Sequence, residues 1–537
     1  FNYGTEIIGQ TALLAAAHDT FNIYGNHTHG THVAGIAAGN GGGTKYVGVA
    51  PEAELVFVSL LVDEASVMDA YIYLFNYAKS TQKRLVVNMS WGLYHMGTLD
   101  GTSLLSSLLD SLSIEGVVFV SSAGNNGDVK FHIKKNFLNI QDTLKTRIEF
   151  DNWSGANNLW GSAIIIWGNE QHSFKTALQF TNASNQQLHL TDFLSNTDNL
   201  NIDTFLIQGN DTILFKIVTE DYNVLNNKPH TLIKIHNPKT GTYKVNLFVI
   251  ADSGNVHLWN VAELTTGVGN WGLDFSAPIP GFIEGDNDYG ISEPACTKNV
   301  ITVGAYKTQI TLTNGNQIGG YIAAFSSKGP TIDERIKPDI TAPGISIISA
   351  MSSYYTGDYI TSISITFNGR IYRFSSLSGT SMSSPVVAGV AALILEANPW
   401  LSALQVKEII KNTARTDNYT GIIPVNGSNI WGKGKINALK SVQKAINDYA
   451  YIDDEKINNN EILIYPNPVN DKLYITTNNL IKEVYLYNYY GQLLKNYKIS
   501  NKITNIEINT NDLNPGMYLI ITKFYTNYYS LKKIIKL

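Results

Sequence analysis

Between residues 53 and 127 the chain alternates short apolar runs with stretches at helical spacing, and that alternation sets the fold class. "AELVFVSLL" (53–61) reads as a buried strand entered from Pro51. Across 64–80, Val67, Ala70, Tyr71, Leu74 and Tyr77-Ala78 recur at the period of a helix with one apolar face. "RLVVNMSWG" (84–92) is a second strand, and "SLLSSLLDSLSIEG" (103–116) is a second helix stopped at Gly116. "VVFVSSAGNNG" (117–127) is a third strand with a turn-rich end. Strand, helix, strand, helix, strand predicts a parallel sheet with helices on its faces. Such a sheet puts its chemistry at the carboxyl ends of its strands.

The pattern is then suspended. From about 130 to 290 the period becomes two, as in "TRIEFDNW", "SAIIIWG", "TILFKIVTE", "HTLIKIHNP" and "TYKVNLFVI", with turn residues between the runs. That describes an antiparallel β sandwich inserted into the first unit. "NVITVGAY" (299–306) and "IKPDITAPGISIISA" (336–350) resume the earlier style, so the central sheet is expected across 46–127 and 299–350. "SSPVVAGVAALILEANP" is an apolar helix, and "SALQVKEIIKNTA" is a helix with Ser402 as N-cap. A chain of 537 residues needs more than one domain. The expected division is 1–129 with 291–448, an inserted sandwich at 130–290, a polar linker at 449–461, and a small β unit at 462–537.

Composition narrows the function. Charged residues make up 15% and the formal net charge is −5, with no basic stripe, so a nucleic-acid partner is not expected. The lone cysteine, Cys296, permits no intrachain disulfide. No apolar run approaches the roughly 18 residues of a membrane helix, so no transmembrane segment is expected. The first residue is Phe1, and no basic start leads into an apolar stretch. The start reads as a cut or processed end, with any signal peptide outside this chain.

Two stretches carry chemistry. In "SLSGTSMSSPVVAGVAAL", Ser381 follows Gly-Thr at the start of a long helix, where the positive helix end favours a developing oxyanion. Pro385 is expected in that helix's first turn. The G-x-S-x-G elbow is absent, because position 383 is Ser. On its own the stretch is equally an ordinary serine-rich helix start. In "GNHTHGTHVAGIAAGN" (25–40), His27, His29 and His32 crowd together, with His29 at a helix start. A zinc-peptidase helix needs His at i and i+4 with Glu between, and neither condition holds, so a metal role is not expected. His32 reads as packed or locally bonded, and His27 as a solvated loop residue. In "SSAGNNG", Asn125 at a strand end can aim its amide at an oxyanion, although alone it would be a turn asparagine.

Together these stretches resemble the subtilisin-like serine peptidases, or subtilases. The resemblance rests on "HGTHVAGIAAG", "VVNMSWG", "VVFVSSAGNNG", "NVITVGA", "FSSKGPTIDERIKPDITAPG", "GTSMSSPVVAGVAALI" and the closing "WGKGKINA", in the family's order across roughly 1–450 apart from the insert. It implies His29 as general base, Ser381 as nucleophile and Asn125 as oxyanion donor. It also implies that Ser90, Trp91 and Gly92 form an edge along which a substrate backbone lies as an added strand. Trp91 stands where the family often has a smaller aliphatic residue. Asp339 matches a structural position. No cofactor is implied beyond structural calcium, which the sequence leaves open.

The family also has an Asp that orients the histidine, on a strand end upstream of it. Upstream of His29 the acidic residues are Glu6 and Asp19. Asp19 is followed by Thr20-Phe21 and lies ten residues before His29, and "TALLAAAHDT" around it reads as helix. The opening "FNYGTE" and the histidine stretch resemble a bacterial subtilase subgroup with an inserted jelly-roll domain, in which the Asp strand precedes the segment matching Phe1. The triad Asp is therefore expected before residue 1.

The C-terminal stretches "ILIYPNPVNDKLYI", "VYLYNYYGQLLKN" and "LNPGMYLIITKFYTNYYSLKKIIKL" describe a small β sandwich, with turns at Gly491 and Pro515-Gly516. They resemble the C-terminal sorting domain of the Bacteroidetes type IX secretion system. That implies export, with the secretion machinery as partner and a released or outer-membrane surface-attached product. The expected function is a secreted endopeptidase acting on protein or peptide substrates. A catalytically silent binding protein on the same scaffold is the alternative, and an esterase is the weaker third reading.

Overall fold

The structure is a computed structural model. It describes residues 3–16, 27–59, 63–139, 142–150, 159–208, 211–236, 243–265, 267–355, 357–450, 462–488, 493–525 and 529–537. Its centre is a four-stranded parallel sheet, in the order Val86–Met89, Val118–Ser122, Ile301–Tyr306, Ile340–Pro343. These strands read as continuous apolar runs because both faces are covered. Under one face, Val118, Val120, Ile301, Val303 and Ile340 meet helices Thr380–Ala397 and Ala403–Asn412. Under the other, Val87, Met89 and Phe119 meet Val67, Tyr71, Leu105 and Leu109 of helices Glu64–Ser80 and Leu104–Ile114. Side-chain caps start these helices. Asp63 accepts from the Ser66 amide, Ser103 from the Ser106 amide, and Ser402 forms a capping box with Gln405.

Four sequence expectations are corrected. Residues 54–59 form no strand, and Leu55, Val56, Phe57 and Val58 are exposed. An apolar run becomes a strand only where a neighbouring edge pairs with it, and no described residue does so here. Ile347–Ala350 leaves the parallel sheet and joins Arg370–Leu377 and Thr361–Phe367 in an antiparallel one. Pro385 is the sixth residue of helix Thr380–Ala397, beyond the first turn. That same helix has 18 residues at a mean hydropathy of 1.4, long and apolar enough to span a membrane by length and composition. Here it is a core helix with two thirds of its residues buried. The expected helix around Asp19 is seen as Gln10–Ala15, and Asp19 itself lies outside the described residues. Most of the expected linker, 451–461, also lies outside them, and helix Ala438–Ala450 overlaps its start.

Between Val118–Ser122 and Ile301–Tyr306 the chain builds two antiparallel sheets, of seven and six strands. Their inner faces meet in one core that includes Ile164, Ile166, Leu178, Phe180, Ile233, Leu247 and Phe275. Strand His230–His236 alternates half-buried and buried residues, the period-two signature of a sandwich. Strand Leu159–Gly168 does not alternate. Its other face, Ala163, Ile165 and Trp167, joins Trp259, Phe131, Tyr94 and Leu99 in a second core that ties the insert to the parallel-sheet unit. A five-stranded sheet with its own core forms the C-terminal unit.

Asp339 enters the last parallel strand fully engaged. It accepts from Lys337 Nζ at 2.7 Å and the Thr302 amide at 2.9 Å, and pairs with the Lys407 ammonium at 3.1 Å. Burial alone would push its carboxyl up, but the two lysine charges hold it well below the usual range. Asp339→Ala strands two buried cations. It should cost about 3–5 kcal/mol of unfolding free energy, read from urea denaturation.

Candidate active site

Ser381 stands in the first turn of helix Thr380–Ala397, whose preceding residue Gly379 offers no side-chain cap. Asn125 supplies the cap from the loop after Val118–Ser122. Its Oδ1 accepts from the Thr380 amide and the Thr380 hydroxyl, each at 2.9 Å. Because the Thr380 amide can only donate, the atom facing it must be the carbonyl oxygen, which leaves Nδ2 as the outward end of Asn125. A Cβ placed on Gly379 would lie 3.5 Å from that Nδ2 and 3.7 Å from the Ser381 amide nitrogen. Asn125 Nδ2 and the Ser381 amide nitrogen thus both lie close to one point beside Gly379, at the start of the helix that carries Ser381.

Pro385 explains a second contact. A helix would pair the Ser381 carbonyl with the amide of residue 385, and proline has none. The Ser90 hydroxyl donates to that carbonyl instead, at 2.9 Å, while Ser381 Oγ donates back to the Ser90 carbonyl at 3.3 Å. Asn88 reinforces the pair, donating to Ser90 Oγ at 3.0 Å and accepting from Ser384 Oγ at 2.6 Å. Leu93 then bridges antiparallel to Glu293. Ser90, Trp91 and Gly92 lie between these anchors, with no backbone pairing partner among the described residues.

His29 opens helix His29–Ala38, and its amide donates to His27 Nδ1 at 3.2 Å. Val33 and Ile36 of that helix pack on Met382, and Gly389 sits so close to Ala37 and Val49 that any side chain there would collide. The two helices therefore run side by side, with the His29 and Ser381 ends on the same side. Burial, aided by His27, lowers the His29 pKa and favours the neutral base. No hydrogen bond joins His29 to Ser381, whose hydroxyl faces Ser90. Among the described residues no carboxylate bonds to His29, and Glu6 instead accepts from Tyr73. His32 is fully buried, bonds the Ser375 carbonyl at 3.1 Å, and is pushed down to about 4 by burial. His27 is exposed and stacks edge-on against Tyr355.

Sequence reasoning missed Asn88 and Glu293. Glu293 is fully buried, its carboxyl against Gly97, and burial raises its pKa to about 7. Its Oε2 accepts from Ser106 at 2.9 Å, while Oε1 has no partner among the described residues. The available signal was a lone acid, "ISEPAC", between apolar and small residues.

The subtilase family model matches residues 15–190 and 218–443, and the chain belongs to that family. Residues 463–536 match the secretion system C-terminal sorting domain, which marks the chain for secretion. Serine protease AprX of Bacillus subtilis is 39% identical over 158 residues, 29% of this chain and 33% of that protein. Minor extracellular protease Vpr of the same organism is 27% identical over 434 residues, 77% of this chain and 45% of that protein. The matches thus span less than half the length of either relative. Among solved structures, the Clostridium perfringens CspB protease shares the fold, with a TM-score of 0.55 at 22% identity, over 78% of this chain and 81% of that one.

Two outcomes are expected. Ser90→Ala leaves the Ser381 carbonyl unpaired in the first helical turns and should cost about 1–3 kcal/mol in urea denaturation. Glu293→Gln tests the buried carboxyl. Below about pH 4.5 Glu293 is protonated in both the folded and unfolded states, so the variant should gain little there. Between about pH 4.5 and 7 the unfolded chain ionises while the folded one keeps its proton. The wild type should lose about 3 kcal/mol relative to the variant by pH 7, seen as a widening difference in Tm.

Proposed function

We propose that the protein is a secreted serine endopeptidase. The observation that carries this reading is that Asn125 caps the helix start through Oδ1, which leaves its Nδ2 3.5 Å and the Ser381 amide nitrogen 3.7 Å from one point beside Gly379. A peptide lies as an added strand along Ser90, Trp91 and Gly92. Ser381 Oγ turns from the Ser90 carbonyl toward His29, which takes its proton as Oγ bonds to the scissile carbonyl carbon. The carbonyl oxygen gains the electron pair and accepts hydrogen bonds from Asn125 Nδ2 and the Ser381 amide. The tetrahedral intermediate collapses, the C–N bond breaks, and His29 returns the proton to the leaving amine. Water then attacks the acyl-enzyme by the same route, with His29 again as base.

The carboxylate that orients His29 is proposed to sit on a further strand from a segment preceding Phe1. Two observations support this: residues 54–59 present Leu55 to Val58 unpaired, and strand Val86–Met89 is paired along one edge only among the described residues. One strand laid between them would cover both. The C-terminal unit hands the chain to the type IX secretion machinery, which releases it or fixes it at the cell surface. The missing bond between His29 and Ser381 favours one rival, a scaffold that binds peptides without cleaving them.

A fluorophosphonate probe decides between them. The protein extended by its natural upstream sequence should label at Ser381, and Ser381→Ala should abolish labelling. The 537-residue chain should react about 10⁴-fold more slowly, the order of the loss when a subtilisin is deprived of its triad Asp alone. Neither labelling nor cleavage of a broad peptide library by the extended protein would establish the silent scaffold.

A further inference from the structure

Asn126, next to the oxyanion donor, is turned the other way. It is buried, and its Nδ2 donates to the carbonyl of Asn270 at 2.9 Å and to the Tyr94 hydroxyl at 3.0 Å. Its Oδ1 accepts from the Gly272 amide at 2.9 Å. Asn270 and Gly272 belong to strand Gly267–Gly272 of the inserted sandwich. The side chain of Asn126 thus acts as one more strand position, clamping the insert's edge against the turn that carries Asn125. Gly272 meets the Phe131 ring so closely that a Cβ would lie 2.7 Å from it, so the clamped strand has little room to shift.

The clamp places Asn270 on the wall of a small cavity shared with Ser381, Trp91, Ser122 and Ser292. Asn125, Thr380 and the Ser90–Gly92 edge line the same cavity. When a peptide lies along Ser90–Gly92 with its carbonyl at Asn125 Nδ2 and the Ser381 amide, the side chain of the same residue has this cavity to enter. Its volume is about 20 Å³, enough for one water molecule and hence for a side chain of one or two heavy atoms. No charged residue lines it. Ser122, Ser292 and Asn270 put three uncharged polar residues on the lining of a space the size of a hydroxymethyl group.

We propose that the inserted sandwich builds part of the specificity pocket, and that Asn270 selects a small uncharged polar residue, serine foremost, on the amino side of the scissile bond. Trp91 sets the size limit by filling space a smaller residue would leave open. This rests on the peptidase reading and goes beyond it, because it names the insert as part of the substrate site.

The test uses the full-length secreted protein, its active sites counted by fluorophosphonate labelling. The substrates are peptides that differ only at the residue before the cleaved bond: Gly, Ala, Ser, Asn, Leu, Phe and Lys. Per labelled site, kcat/KM should be highest for Ser, about five- to tenfold above Ala, the worth of about one hydrogen bond. Leu and Phe should fall about 100-fold lower. Asn270→Ala should bring the Ser to Ala ratio close to one, and Trp91→Ala should raise kcat/KM for Leu and Phe. Asn270→Ser, which puts a hydroxyl in place of the amide, should keep part of the ratio. Equal or better cleavage after Leu, Phe or Lys overturns the proposal while leaving the peptidase reading intact. An unchanged Ser to Ala ratio in Asn270→Ala overturns the role of the insert. Absence of both labelling and cleavage overturns the peptidase reading and this proposal with it.

Discussion

Helix Thr380–Ala397 is the constraint on which the parallel-sheet unit depends. Val387, Val390, Ala391 and Ile394 are almost fully buried against strands Val118–Ser122, Ile301–Tyr306 and Ile340–Pro343. A helix so enclosed cannot shift by a residue without emptying one side of its packing. Its first turn is fixed with equal firmness, because Asn125 caps it and Ser90 takes the carbonyl that Pro385 leaves open. Ser381, the proposed nucleophile, is therefore held by the core itself. The proline, which looks like a flaw in a buried helix, creates the vacancy that ties Ser381 to Ser90.

How much of this could be read from residues alone depended on how local each signal was. The helices at 64–80 and 104–114 were legible because their apolar spacing and caps lie within one stretch. The two-sheet insert was legible from its period, as in His230–His236. Residues 54–59 depart from the expected strand because a pattern states what a run would pair with, while strand formation depends on whether a neighbour is there. Ile347–Ala350 was misread for a related reason. Nothing in "ISIISA" tells a parallel partner from the antiparallel strand Arg370–Leu377 that it meets. In the site, His29, Ser381 and Asn125 stood out because each sits at an element boundary among small residues. Asn88, Glu293 and Asn270 did not, since each matters only through a partner distant in sequence.

Two buried carboxyls in this chain pull in opposite directions with pH. Asp339 between Lys337 and Lys407 is a buried carboxylate held ionised by two charges. Glu293 is a buried carboxyl with no cation bonded to it among the described residues, held protonated near neutrality by burial. The difference is one of partners rather than depth, since both are essentially inaccessible. Glu293 also bonds through its backbone to Leu93, immediately after the Ser90–Gly92 edge. Ionisation there adds an uncompensated charge beside Gly97 and the first turn of helix Leu104–Ile114.

The adjacent asparagines 125 and 126 show how a large insertion can be accommodated beside a site without loosening it. Successive residues in an extended turn point to opposite sides. Asn125 uses its oxygen to cap helix Thr380–Ala397, and Asn126 uses both amide atoms to hold strand Gly267–Gly272. The insert is also buried against the parallel-sheet unit through Trp167, Trp259, Tyr94 and Leu99. Movement of the sandwich would therefore have to break either this apolar contact or the Asn126 clamp before it could disturb Asn125. Because Asn125 and Asn126 share one turn, the hold on the insert and the cap on the helix that carries Ser381 are set by the same few backbone angles.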